Sequence, residues 1–406
     1  MLYDLNFDHY TLFNDAYTTP ANVLIFLLSH LANFSFCILV VSFFLIIKKI
    51  NKIEFYSWIA LFFMGAVIAL VIGENYFPDI GGYLRCVRDI RDNLVFDELG
   101  CQLVASSAGD FGSILSAKKG LPSLMFALVP IPSIATIAAL GFINKIFTFL
   151  TYVFLRRRYF QNNYKSLLLI MVIPSILIFS SLGLRDNIIF LNQLLLMFAI
   201  LTNRFIFSTI LLLFLLAIKF QNAFIFMILY IGVFIFRANS RSRNLYLFLF
   251  LLTVIGTTFS NEVIGLLNFY KLAFLRESGE FVSGSILINQ REFSSLGDLV
   301  IQAPKLLFLG WIKPLPTSAV YALFFLESVF IFFVVLYQSL NLNGLWKNPS
   351  FILMFITMNM GILLNALVVD NELTLLRYRY TFSLCIVTYL FYLQGYLKPL
   401  KSNEKL

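Results

Sequence analysis

The sequence predicts an all-α fold, a polytopic transmembrane bundle of about eleven helices forming one integral-membrane domain over residues 1–406. Three observations predict it. Of the 406 residues, 60% are hydrophobic and 13% are charged, against about 25% charged in an ordinary soluble domain. Apolar runs recur along the whole chain, most of them near the roughly 20 helical residues that span a hydrocarbon core of about 30 Å. Runs such as 210–218 and 245–252 lack the apolar–polar alternation of a barrel strand. A barrel is the only other way to satisfy every backbone group in lipid.

The apolar periods put helices near 22–47, 55–76, 133–155, 166–182, 185–202, 205–219, 222–236, 245–261, 317–338, 350–369 and 380–397. Orientation follows from Lys and Arg, which cytoplasmic loops retain. With Lys48, Lys49 and Lys52 inside, strict alternation also puts Arg156, Arg157, Arg158, Lys165, Arg204, Arg237, Arg241, Arg243, Lys347, Lys398, Lys401 and Lys405 inside. Those stretches hold only the carboxylates Glu54 and Glu404, whereas the N-terminal stretch carries Asp4, Asp8 and Asp15 with no Lys or Arg. The predicted topology is therefore N-out and C-in. The net charge of +9 is mostly topological, and a nucleic-acid partner is not expected. The acidic start and the long first apolar run predict a retained signal anchor rather than a cleaved leader.

Two larger outside loops are expected, about 77–121 and 262–316, carrying short amphipathic helices. The first holds Cys86 and Cys101. A disulfide between them in an oxidising compartment would stabilise by about 3 kcal/mol on the chain-entropy argument. Cys37 and Cys385 fall in apolar runs and serve as small core residues. His9 and His30 have no Cys or His cluster around them, so no metal site is expected. Phosphate-loop, zinc-protease and dinucleotide fingerprints are absent, and no cofactor is implied.

The outward face carries about as many Lys and Arg as the inward one, against the usual bias. Some of this is solvated loop charge beside Asp79, Asp89, Asp92 and Asp97. Three places suggest an anion-binding surface. The first is the stretch 174–187, PSILIFSSLGLRDN, where a rising helix breaks and returns at once with Arg185 and Asp186 at its head. A cation beside free helix N–H groups favours an incoming anion, although a simple Arg–Asp surface pair at a tight turn reads the same. The second is Lys219, between two short helices. It either faces a cavity or snorkels to the headgroups. The third is Arg377, Tyr378, Arg379 and Tyr380 before the last helix, where arginine forks suit phosphate; a basic aromatic belt is the alternative. Arg291 and Lys313 extend the basic set in the second loop, which closes with 304–316 as an interfacial amphipathic segment pinned by Trp311. Asp79, where the second helix leaves the membrane, suits a general base or an ordinary turn. Glu327, halfway along its helix, is either functional or paired with Lys145 or Lys219.

The Pro-Ser-x4-Ser-Ser-Leu-x-Leu-Arg-Asp turn, the Arg-Tyr-Arg element and the segment Trp311-Ile312-Lys313-Pro314-Leu315-Pro316 together resemble Wzy-type O-antigen polymerases. These membrane glycosyltransferases are related in layout to the GT-C class. The resemblance implies an undecaprenyl-diphosphate-linked oligosaccharide as substrate, at the periplasmic face of the bacterial inner membrane. It implies membrane lipid and a chain-length regulator protein as further partners. Arg185 and Arg377, with Asp79 or Asp186 as base, would be catalytic, and Lys219, Tyr378, Arg379, Arg291 and Lys313 would bind substrate. The alternatives are a GT-C transferase or ligase using a polyprenyl-linked sugar donor, and a transporter of lipid-linked oligosaccharides.

Overall fold

The computed structural model describes residues 20–76, 79–93, 120–161, 163–238, 250, 253–254, 257–277, 293–317, 319–342, 345–369 and 372–403. They are helical almost throughout, with no strand among them. In chain order the helices are α1 (Pro20–Ile46), α2 (Lys52–Tyr76), α3 (Asp79–Asn93), α4 (Gly120–Leu128), α5 (Ile137–Arg158), α6 (Tyr164–Met171), α7 (Pro174–Ser181) and α8 (Arg185–Leu201). They continue with α9 (Phe205–Ile218), α10 (Phe220–Ala238), α11 (Ser260–Glu277), α12 (Leu296–Ile312), α13 (Ala319–Asn341), α14 (Pro349–Val368) and α15 (Glu372–Asn403). Among the described residues, five helices are long and apolar enough to cross a membrane, and α6 with α7 makes a sixth if counted as one bent span. The chain reads as a membrane protein of the all-α class.

Several expected elements change form. The continuous helix expected over 166–182 is two eight-residue helices bent by 63°. Pro174 is the cause: it has no N–H to donate back and holds Ile173 out of the helical region. The last helix starts at Glu372 rather than near 380, so Arg377, Tyr378 and Arg379 lie inside its first turns and not before it. An acidic first turn complements the helix dipole. Helices also occupy much of the two expected loops. In α3, Ile80, Tyr83, Leu84, Val87 and Ile90 are buried on one face while Arg85 is exposed. The helix expected over 245–261 lies largely outside the described residues, as does Cys101. Cys86 is disulfide-bonded, and Cys37 and Cys385 are free and buried.

The chain divides into two compact units. One comprises Met1–Leu195 with Phe214–Phe220, and the other Leu196–Leu213 with Gln221–Leu406. In the first, α2 packs on α1, α5 and α7. Trp58, wholly buried, stacks edge-on against Phe149 and Tyr152 of α5. Asn51 and Glu54 cap α2 reciprocally: the Asn51 amide donates to Glu54 Oε2 at 2.7 Å, and the Glu54 amide donates to Asn51 Oδ1 at 2.9 Å. The other oxygen of Glu54 accepts from Tyr152 Oη at 2.6 Å and Arg156 Nε at 3.0 Å. In the second unit, α14 packs on α11, α12 and α15, and Ile264, Leu267, Phe293, Leu367 and Val368 form a small core.

Glu54 thus joins α2 to α5 through a carboxylate with no solvent exposure. Glu54→Ala strands the Tyr152 hydroxyl and the Arg156 guanidinium and is predicted to lower stability by about 3 kcal/mol. Tyr152→Phe is predicted to cost only about 1 kcal/mol. Thermal unfolding in detergent measures both, and equal effects would remove Glu54 as the organising group.

Candidate functional site

In the first unit, a break between two helices is fastened by a polar stripe on a third. The helix breaks at Leu182, Gly183 and Leu184, between α7 and α8. On α5, Gly141, Asn144, Lys145 and Thr148 recur at helical spacing and so share one face. Asn144 Nδ2 donates to Leu182 O at 2.5 Å and to Leu184 O at 2.9 Å. Lys145 Nζ donates to Leu177 O at 3.1 Å, Ser180 Oγ at 2.7 Å and Ser181 Oγ at 3.1 Å. Asn144 therefore holds the chain after the break, and Lys145 holds it before. Asn187, in the first turn of α8, donates to Thr148 Oγ1 at 3.1 Å and Asn144 O at 3.3 Å.

Close backbone approach makes this fastening possible. A Cβ at Gly141 would stand 2.0 Å from Ser181 O, so only glycine lets α5 lie this near the end of α7. At Gly65 of α2 a Cβ would meet Ser181 Oγ at 2.9 Å. Phe62, Gly65, Ala66, Ala138, Gly141 and Phe142 line a narrow cleft that ends at Lys145. Lys145 is 3% exposed, and its bonding partners are two hydroxyls and a carbonyl rather than a carboxylate.

The turn carries two of the expected site residues to the head of α8. Arg185 is partly exposed there, while Asp186 is buried. Lys219, also in this unit, is the single residue between α9 and α10, partly exposed, with its amide bonded to Leu215 O at 2.7 Å. Asp79 is the first residue of α3.

Much of the excess positive charge in this unit serves backbone carbonyls. Arg88 donates to Ile134 O at 3.3 Å and Ala135 O at 2.8 Å. Arg91 donates to Ala127 O at 3.1 Å, Ile131 O at 3.4 Å and Val129 O. These carbonyls belong to the end of α4 and the irregular chain after it, where no helical N–H is available.

In the second unit two of the expected motifs meet. Arg379, 4% exposed, donates to Gly310 O at 2.6 Å and to Ser328 Oγ. It thereby ties α15 to α12 and α13, and Glu327 beside Ser328 acts on it electrostatically. The sequence offers Lys145 or Lys219 as a partner for Glu327; Arg379 is a nearby cation that it does not offer. Lys313 pairs with Glu372 at 3.7 Å, and the Leu315 amide donates to Glu372 Oε2 at 2.9 Å. Arg377 and Tyr378 are partly exposed on α15. Trp311 does not lie open in an interface: it is buried, and its indole N–H donates to Asn359 Oδ1 at 3.0 Å, the acceptor a buried indole requires. Arg291 falls outside the described residues.

Asn144, Asn187 and Gly141 were missed by reading motifs alone. Their signal is the polar stripe at 141, 144, 145 and 148 within an otherwise apolar helix.

Arg379→Met removes both bonds and a cation close to Glu327, and is predicted to cost about 3 kcal/mol in unfolding of the purified protein. Lys313→Ala, at a more exposed pair, is predicted to cost less than about 1 kcal/mol. An Arg379→Met protein as stable as the wild type would show that the guanidinium is free to serve a ligand instead.

No family model, curated protein or solved structure matches this chain.

Proposed function

We propose that the chain is an oligosaccharide repeat-unit polymerase of the bacterial inner membrane, with about eleven spans, N-out and C-in. Its substrate is a repeat unit carried on undecaprenyl diphosphate at the periplasmic face. A sugar hydroxyl of one unit attacks the anomeric carbon of the glycan on another, and the lipid diphosphate leaves. The observation that carries this reading is the fastened turn between α7 and α8, with partly exposed Arg185 at the head of a helix. Negative charge develops on the departing diphosphate, and a preorganised cation at the positive end of a helix dipole stabilises it. Arg185 has this role. Lys219, in the same unit, is a further substrate contact, and Arg379 of the second unit acts from its buried position as a brace between α15, α12 and α13. Asp79 takes the base role ahead of Asp186, whose side chain is buried.

A GT-C transferase adding a single sugar from a polyprenyl phosphate donor, with a lipid phosphate leaving, is the second reading. The acidic residues of α3, Asp79 alone or Asp89 with Asp92, favour it. The transporter reading rested on Lys145 and Glu327 as intramembrane charges. Lys145 has local bonding partners and Glu327 a local countercharge, which weakens it.

The lipopolysaccharide ladder after gene deletion tests the proposal. Collapse to core plus one repeat, restored by wild type and not by normally accumulating Arg185→Ala, is the predicted result. Loss of even the first repeat favours the single-sugar or transport readings, and an unchanged ladder removes the polymerase reading.

A further inference from the structure

We infer that Asn144 and Lys145 are positioning residues for Arg185, holding the turn between α7 and α8 in the one arrangement that presents the guanidinium. The inference rests on the polymerase reading for its activity arm only.

Leu182 is extended, at φ −105° and ψ 153°. The carbonyls of Leu182 and Leu184 are received by a single side chain, Asn144. Both acceptors are carbonyls, so only the amide nitrogen can face them, and the orientation of Asn144 follows from chemistry. Its neighbour Lys145 bonds three acceptors in the last turn of α7. Consecutive residues of one helix therefore grip the chain on both sides of the break, at Leu184, one residue before Arg185, at the nearest point. Asn187 closes the far side by bonding Thr148, one helical turn further along the same face of α5. Gly141 sets the distance at which α5 can make these bonds.

Apolar replacement of either residue leaves the acceptors in a dry interior, and the turn must shift to recover partners. A displacement of about 1 Å in a positioned catalytic group can slow a reaction about a hundredfold. A residue that merely stabilised the unit would lower the amount of folded protein without moving Arg185.

The test uses purified full-length protein carrying Arg185→Cys, reacted with a hydrophilic maleimide, beside Gln161→Cys as an exposed control remote in sequence from the turn. Rates are read relative to the chain without the introduced cysteine. Adding Asn144→Leu or Lys145→Met is predicted to raise labelling at position 185 about threefold or more, with position 161 unchanged. Lys145→Gln, which keeps two donors for the serines, is predicted to return labelling toward the wild-type rate. With Arg185 intact, Asn144→Leu and Lys145→Met are predicted to shorten the polysaccharide ladder at normal protein level, and Lys145→Gln to restore it. Unchanged labelling at 185, or an equal rise at 161, overturns the inference. Should an apolar variant fail to accumulate, Asn144→Ser decides, because one hydroxyl donor cannot replace two amide donors: a rise at 185 alone supports the inference and a wild-type rate overturns it. If Arg185→Ala leaves the ladder intact, the polymerase reading fails while the labelling result stands by itself.

Discussion

A helix that breaks inside an apolar protein leaves backbone carbonyls with no N–H to meet them, and neither lipid nor a dry interior supplies a donor. Polar side chains in the described structure answer that constraint repeatedly. Arg88 and Arg91 receive the carbonyls after α4. Asn33 receives Ser133 O, and Asn268 receives Phe293 O. Asn144 and Lys145 serve the break between α7 and α8, and Arg379 serves Gly310 O near the end of α12. In a chain with 13% charged residues, these donors stand out against long apolar helices, and several occupy places that a motif search would assign to substrate.

Burial distinguishes one arginine of the expected set from another. Arg379 looks in sequence like a phosphate fork. In the fold its guanidinium is buried, bonded to Gly310 O and Ser328, with Glu327 close by. Arg185 is different, because it sits partly exposed at the head of a helix whose approach is clamped by another helix. Rigid support under a partly exposed cation is what electrostatic catalysis requires, since a preorganised group need not reorganise as charge develops. The same logic gives the fastened turn a purpose beyond connecting two short apolar helices.

The fold class was legible in the sequence because the constraint that creates it is compositional: long apolar runs with no alternation. The break at Leu182, Gly183 and Leu184 was legible too, from Ser-Ser-Leu-Gly followed by Arg-Asp. Other features were not. The bend before Pro174 required weighing one proline against a continuous hydropathy signal. The start of α15 at Glu372 was hidden because Arg377 and Arg379 read as a polar boundary, whereas they fall on a helix with Leu375, Leu376 and Tyr380 buried. Asn144 and Lys145 could not be tied to the turn by sequence, because about 40 residues separate them from Leu182 and Leu184. The stripe they form with Gly141 and Thr148 was present to be read, but its partner was not.

The central claim is that this chain transfers a glycan from a lipid diphosphate with Arg185 at the departing group. It is tested most directly with purified protein in vesicles and a synthetic polyprenyl-diphosphate oligosaccharide. Released lipid diphosphate and product glycans would be followed together by mass spectrometry. The account predicts one lipid diphosphate released for each repeat joined, with both signals lost in Arg185→Met and retained in Gln161→Ala, at an exposed residue outside the proposed site. Diphosphate release without chain growth, or undiminished growth in Arg185→Met, would contradict it.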